Sequence, residues 1–360
     1  MDYKLTAKLT NRIKEGTLRS LSLFDGFKDF FSNDYLGFSK DASDVFFEGR
    51  GATGSRLISG NSKEAVDAEK KLASFFSSEA ALMFNSGYDA NVGFFSSIPQ
   101  RGDTIIYDEL IHASSRDGIR MCFANAYAFK HNSITDLRMR LEKVQGAVYV
   151  AIEGLYSMDG DIPPLKDIID LCEEYDAYLI VDEAHSVGVY GESGKGLVSA
   201  LGFENRVFAR LVTFGKAYGS HGAVVLGCQQ LIDYLVNFSR SFIYTTALPP
   251  CVFSLNATRA TCSSVVERQG DLQSVLAQFR SLFVHEGLLS EVNSPIQVLQ
   301  IGSVEGVRLV AEKLQGKSIA VKPIYSPTVA EGKERIRFCF HAFNTKSEVD
   351  FLIGVLTEVC

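Results

Sequence analysis

The chain has 360 residues, enough for two domains with a cleft between them. Hydrophobic residues make up 46% and charged residues 22%, an ordinary balance for a globular protein. The 36 basic and 43 acidic residues leave a net charge of −7, which gives no reason to expect nucleic acid or an anionic membrane as a partner.

The longest apolar runs, AVYVAI (147–152) and YLIV (178–181), are far too short to cross a bilayer. The N-terminal stretch MDYKLTAKLTNRIKEG lacks the apolar core of a secretory signal. Seven scattered cysteines without a CxxC pair suit reduced thiols in a cytoplasmic protein and argue against a disulfide scaffold or a zinc site.

In chain order, Leu5, Leu9 and Ile13 repeat every four residues and predict a short amphipathic helix. LFDGFKDFF (23–31) reads as a short hairpin around Asp25–Gly26. From about residue 60 to 230, helix-like stretches alternate with short β-rich runs. DTIIYDE (103–109), AVYVAIEG (147–154), AYLIVDEAH (177–185), RLVTFGK (210–216) and GAVVLG (222–227) are the clearest strands. PLKDIIDLCEEYDA (164–177) is a helix with Ile168, Leu171, Cys172 and Tyr175 on one face. This alternation predicts an α/β fold with a mostly parallel sheet covered on both faces, and ligands collect at the carboxyl ends of such strands.

Past residue 250 a helical stretch (about 251–288) precedes PIQVLQIG (295–302), a helix (303–315), IAVKPIYSP (319–327), RIRFCFHAF (335–343) and a last helix (345–358). This predicts a smaller α/β domain with an antiparallel sheet. The expected division is an N-terminal helix and hairpin (1–34), a large domain (35–250) and a small C-terminal domain (251–360).

The strand YLIV runs straight into Asp182, Glu183 and His185, and a carboxylate there must find a cation or donors. A helix cap or structural ion pair would satisfy it. However, Asp182 lies 34 residues before Lys216, one crossover away, so adjacent parallel strands would carry both to one sheet edge. Lys216 sits between an apolar run and the small residues Gly215, Ala217 and Gly219, where limited contact with water favours a neutral, nucleophilic amine. An acid and an amine so placed match pyridoxal 5'-phosphate (PLP) chemistry: the lysine bonds the cofactor aldehyde and the acid keeps the pyridine nitrogen protonated.

FNSGYDANVGFF (84–95) offers a phosphate cup at a helix N-terminus beginning near Tyr88. His112 follows another strand end and is a candidate to stack on a cofactor ring, whereas His131, His221, His285 and His341 read as structural. VYGESGKG (189–196) imitates a nucleotide-binding loop. Val189 replaces its first glycine and Gly196 its magnesium-binding hydroxyl, so it reads as a turn-rich loop.

Taken together, NDYLG (33–37), GSRLISGN (54–61), ALMFNSGYDAN (81–91), HASSRDG (112–118), EGLYSMDGDIPPL (153–165), VDEAHSVGVYG (181–191), TFGKAYG (213–219) and IYTTALPP (243–250) resemble the α-oxoamine synthases. These are PLP-dependent acyltransferases of the aspartate-aminotransferase fold (type I), and the likeness covers nearly the whole chain. SMDGDIPPL and FKHN (129–132) point to the branch that joins L-alanine to a pimeloyl thioester in biotin biosynthesis. DGIRMC (117–122) keeps glycine with an acetyl thioester as an alternative, and serine with palmitoyl stands third. A catalytically silent, partner-binding paralogue is a different class, and retention of Lys216, Asp182 and His112 argues against it.

The resemblance implies that Lys216 carries the cofactor, Asp182 faces the pyridine nitrogen and His112 stacks on the ring. Gly87, Tyr88, Ser157, His185 and Thr213 would complete the cofactor contacts. Thr245 and Thr246 would reach the phosphate from the neighbouring subunit of a homodimer. Arg337 would hold the amino-acid carboxylate, and Thr328, Arg19 and Asn33 would serve the substrate site. Small-molecule substrates are implied, with coenzyme A or acyl carrier protein bearing the acyl group. Between Arg19 and Asn33 the chain is shorter than in the family.

Overall fold

The computed structural model describes residues 3–18, 21, 23–41, 51–326 and 328–359. They form two compact units, one of Asn33–Ser157 and Asp161–Asp271, the other of Met1–Ser32, Met158–Gly160 and Leu272–Cys360.

Helix α1 (Tyr3–Lys14) forms where the spacing of Leu5, Leu9 and Ile13 predicts it, and the stripe stays more than half exposed. The expected hairpin over 23–31 does not form. The chain turns at Asp25–Gly26, with φ +77° at Gly26, but strand β1 (Lys28–Asp29) pairs in parallel with Ile319–Ala320. A two-residue strand carries too little pattern to announce so distant a partner.

In the larger unit, α2 (Lys63–Phe75) starts at the Ser62 cap and leads to β2 (Ala80–Phe84) and α3 (Gly87–Ser97). Next come β3 (Thr104–Asp108), α4 (Ala113–Met121), β4 (Asn125–Phe129), α5 (Ile134–Leu141), β5 (Val148–Glu153) and α6 (Leu165–Glu174). Then follow β6 (Tyr178–Asp182), α7 (Leu197–Ala200), β7 (Ala209–Thr213), β8 (Ala223–Gly227), α8 (Gln229–Phe238), α9 (Arg240–Ile243) and α10 (Pro250–Ala260). The helical stretch expected from 251 breaks after α10, and α11 (Ser264–Leu282) begins anew.

The strand order is β2-β8-β7-β6-β5-β3-β4. β8 runs antiparallel to both its neighbours, β2 and β7, and the other six strands share one direction. Alternate side chains feed two cores. Ile105, Tyr149, Ala151 and Ile180 pack with Phe94 and Leu235 on one face. Ile106, Val148, Val150, Ile152, Leu179 and Val181 pack with Leu137, Ile168 and Leu171 on the other. Each such buried aliphatic side chain contributes about 1.5–3 kcal/mol, so the two-sided burial fixes the strand register.

In the smaller unit, β9 (Ile296–Gln300) and α12 (Val304–Gly316) precede β10 (Ile319–Ala320), β11 (Lys322–Ile324), β12 (Arg335–Cys339) and α13 (Lys346–Val359). The run expected over 319–327 divides at buried Val321: β10 pairs with β1, and β11 joins the antiparallel sheet β11-β12-β9.

Candidate active site

Five parallel strands point their carboxyl ends the same way, and the residues just beyond them converge. β2 leads to Ser86 and Gly87, β3 to His112, β5 ends in Glu153, β6 in Asp182, and β7 leads through Thr213 to Lys216. All of these line one cavity of about 300 Å³, together with Asn33, Tyr88, Asn91, Ser114, Ala184, His185, His221 and Gly222. Asp182 and Lys216 thus share a cavity, as the strand spacing predicts.

Strand alternation separates the two acids that end β6. Glu183 is fully buried, paired at 2.6 Å with Nε of Arg210, and also accepts from the Val198 amide and the Ser186 hydroxyl. Asp182 turns the other way, into the cavity, at 9% exposure. Its Oδ1 accepts from the Ala184 N–H at 3.0 Å and its Oδ2 from the Asn91 side-chain amide at 2.8 Å. Asn91 also donates to the Ser114 hydroxyl at 3.1 Å, which lies 2.7 Å from Nδ1 of His112. His112 caps α4 and accepts from the Ser114 N–H. Burial pulls its pKa below the ordinary value and Lys216 adds to this, against the opposing pull of Asp182, so the imidazole is neutral at pH 7.

Lys216 is half-buried on the connection from β7 to β8. Phe214 and Tyr218 anchor it in the core on either side, and the Tyr218 hydroxyl donates to the Gly194 carbonyl. The turn needs Gly219: its φ is +55°, and a side chain there would collide with the backbone of Ser39. The resulting loop holds the amine at a fixed place on the cavity wall.

Helix α3 points its first turn at the same space. Ser86 caps it by accepting from the Asp89 N–H at 3.0 Å, whereas the amides of Gly87 and Tyr88 stand where a helix has no internal acceptor. A Cβ on Gly87 would lie 2.6 Å from the Thr213 methyl, so any larger residue there forces one of the two to shift. Tyr88 is half exposed, and its hydroxyl donates to Asp117. The Thr213 hydroxyl donates to the Ala184 carbonyl at 3.3 Å. His185 is buried, with its Nδ1 2.7 Å from the Tyr35 hydroxyl, which donates to Asn33 at 3.2 Å.

Other predicted residues stand elsewhere. Ser157 is not among the cavity-lining residues, though its backbone amide faces the carboxyl of Glu153. Thr245 and Thr246 are held by Asn85 of the same chain, through the Thr245 hydroxyl at 3.0 Å and the Thr246 carbonyl at 2.7 Å. Arg337 and Thr328 belong to the smaller unit, Arg337 buried on β12 and Thr328 exposed in a turn after β11. Arg19 lies outside the described residues.

Sequence reasoning passed over Asn91, Ser114 and Glu153. Glu153 carried the same signal as Asp182, a carboxylate closing an apolar strand. His221, read as structural, lines the cavity. His131 also has company that its sequence neighbours hide. Nδ1 lies 2.9 Å from Asp108, and Nε2 lies 2.8 Å from Asp161. Burial lowers the pKa of this imidazole, but the two carboxylates overcome that and raise it to about 10.

The residues present fit PLP. A helix N-terminus is ready for a phosphate, an anion held by two donors is ready for a pyridine nitrogen, and a neutral imidazole and an amine share the wall. Two buried oxygens of lining residues, Asn91 Oδ1 and Glu153 Oε1, have no partner among the described residues, as expected of a polar site shaped for a ligand.

Comparison with known proteins agrees. Residues 28–356 match the family "Aminotransferase class I and II". An 8-amino-7-oxononanoate synthase of Emericella nidulans is 41% identical, covering 91% of this chain and 88% of its own. The structure of a serine palmitoyltransferase from S. paucimobilis, with PLP and myriocin bound, superposes with a TM-score of 0.88 at 25% identity, covering 99% and 96%. That of an 8-amino-7-oxononanoate synthase from Francisella tularensis gives 0.77 at 28% identity, covering 93% and 98%. This chain therefore belongs to the class I and II aminotransferase family, in its α-oxoamine synthase branch.

Proposed function

We propose that this chain condenses L-alanine with a pimeloyl thioester, releasing carbon dioxide and the thiol carrier and forming 8-amino-7-oxononanoate, a step of biotin biosynthesis. The observation that carries this reading is the meeting of Lys216, Asp182 and His112 in one cavity. Relatives that share 35–41% identity and bear the name of that synthase support the substrate pair.

When bound, PLP supplies the electron sink for negative charge at the amino acid's α-carbon. Lys216 would hold the cofactor, and its amine, when free, would stand ready to accept the α-proton. Asp182, steadied by Asn91 and the Ala184 amide, keeps a proton on the pyridine nitrogen. His112 offers a flat, uncharged face to the ring. The amides of Gly87 and Tyr88 receive the phosphate, and Ser157, His185 and Thr213 complete the cofactor contacts.

A homodimer follows if Thr245 and Thr246 serve the neighbouring subunit's phosphate. Arg337 is assigned the amino-acid carboxylate by charge-assisted pairing. Thr328, Arg19 and Asn33 are assigned the substrate side. The functional division is 1–34, 35–250 and 251–360. Coenzyme A or acyl carrier protein delivers the acyl group. The protein works in the cytoplasm, a reading supported by seven scattered cysteines with no CxxC pair.

The test is to supply PLP-loaded protein with alanine, glycine or serine, each with pimeloyl, acetyl or palmitoyl thioester, and to identify products by mass. Alanine with pimeloyl should give 8-amino-7-oxononanoate. Turnover confined to glycine with acetyl, or to serine with palmitoyl, would reassign the substrates.

A further inference from the structure

The proposed chemistry leaves the carboxyl of Glu153 without a task. It closes β5 at 4% exposure and lines the cavity, and its Oε1 has no hydrogen-bond partner among the described residues. The β5–β6 register places it directly beside Asp182. The backbone amides of His112 and Ser157 face the same carboxyl, so it lies between two segments that border the site.

Two carboxylates on neighbouring strand ends in a buried site do not both stay ionised. Both oxygens of Asp182 accept a hydrogen bond at 3.0 Å or less, from the Asn91 amide and the Ala184 N–H, whereas Oε1 of Glu153 has no partner among the described residues and is free to carry a proton. The proton therefore resides on Glu153.

We propose that Glu153 is a positioning residue of the cofactor site that works as a neutral acid. Its carboxyl ties the His112 segment to the Ser157 segment, and its protonated oxygen offers an O–H donor to the cavity. Asp182 is left as the single anion of the pair. This inference rests on the cofactor reading above.

The titratable groups around Glu153 are Asp182 on β6, Lys216 on the β7–β8 connection, His112 ahead of α4 and Tyr156 beyond β5. Burial and Asp182 raise its pKa well above the ordinary value. Lys216 and the two backbone amides oppose them without reversing the outcome.

Glu153→Gln in the PLP-loaded protein tests this, because glutamine keeps the shape and lacks a charge. The variant should bind PLP within a factor of about three of the wild type. It should also melt at least as high at neutral pH, with the gap widening as pH rises. The reason is that an acid whose folded pKa is raised makes the native state lose stability with rising pH, and glutamine has no proton to lose. A glutamine variant that fails to fold, melts lower, or loses PLP affinity about tenfold or more would overturn the proposal, since a charge would then be needed.

Glu153→Ala should weaken PLP binding; affinity equal to wild type would show that the carboxyl positions nothing. Failure of the cofactor reading is distinct. It would appear as wild-type protein that binds no PLP, whereas the melting comparison still tests the neutral acid.

Discussion

Asn91 ties Asp182 to the His112 side of the cavity: one side-chain nitrogen donates to the Asp182 carboxylate at 2.8 Å and to the Ser114 hydroxyl at 3.1 Å. Ser114 in turn meets His112. The acid proposed to face the pyridine nitrogen and the imidazole proposed to face the ring are thereby linked through one residue of α3. Asn91→Ala should weaken PLP binding about ten- to a hundredfold, the value of a hydrogen bond to a charged group. A PLP titration followed by visible absorbance measures this, and unchanged affinity would mean that Asp182 needs no such support.

Gly87 and Thr213 form a second coupled pair. Gly87→Ala brings a methyl against the Thr213 methyl and should push α3 away from the proposed phosphate position, lowering PLP affinity. Thr213→Ser removes the obstructing methyl and keeps the hydroxyl. The double variant should therefore recover most of the affinity lost in Gly87→Ala. If it does not, the defect lies in the backbone of the cap and not in this contact.

How much of this the sequence announced depends on the range of each interaction. The alternation of β3, β5 and β6 with helices is written in local periodicity, and the spacing of Asp182 and Lys216 follows from one crossover. Asn91 is quoted within a motif, but its partners lie 23 and 91 residues away, so nothing local marks it as a bridge. His131 is similar, since its two carboxylates come from the end of β3 and from the segment before α6. β1 failed for the same reason, its partner being almost 300 residues distant. Glu153 was different: its apolar run was visible, and its burial could have been inferred from the rule applied to Asp182.

The imidazole of His131 makes stability depend on pH. Its pKa is raised from 6.5 to about 10 in the native state by Asp108 and Asp161, against burial. The contribution is therefore whole below pH 6.5, shrinks as pH rises, and is lost through about pH 10. His131→Gln should cost stability most at pH 6, and its deficit against wild type should narrow toward pH 10. Asp161→Asn, which leaves a charged imidazole with one carboxylate, should be destabilised by about 1.5–3 kcal/mol at neutral pH, the value of one hydrogen bond to a charged group. Denaturant titrations across this range check both expectations. A deficit independent of pH would show that His131 acts through packing alone.

Thr245 and Thr246 offer a test of assembly. If they serve the neighbour's phosphate, a Lys216→Ala chain and a Thr245→Ala/Thr246→Ala chain fail for different reasons. Each homodimer should be impaired, and mixed, re-equilibrated chains should regain turnover, because one site of the mixed dimer is intact. No recovery in a demonstrated mixed dimer would return both threonines to their own chain.

The central claim is that Lys216 bears the cofactor. Borohydride reduction of the PLP-loaded protein, followed by digestion and mass spectrometry, reads this directly. A stable pyridoxyl-phosphate mass is expected on the peptide that contains Lys216, and its loss from that position in Lys216→Ala. A label on another lysine in the wild type, or no label in protein that binds PLP, would contradict it.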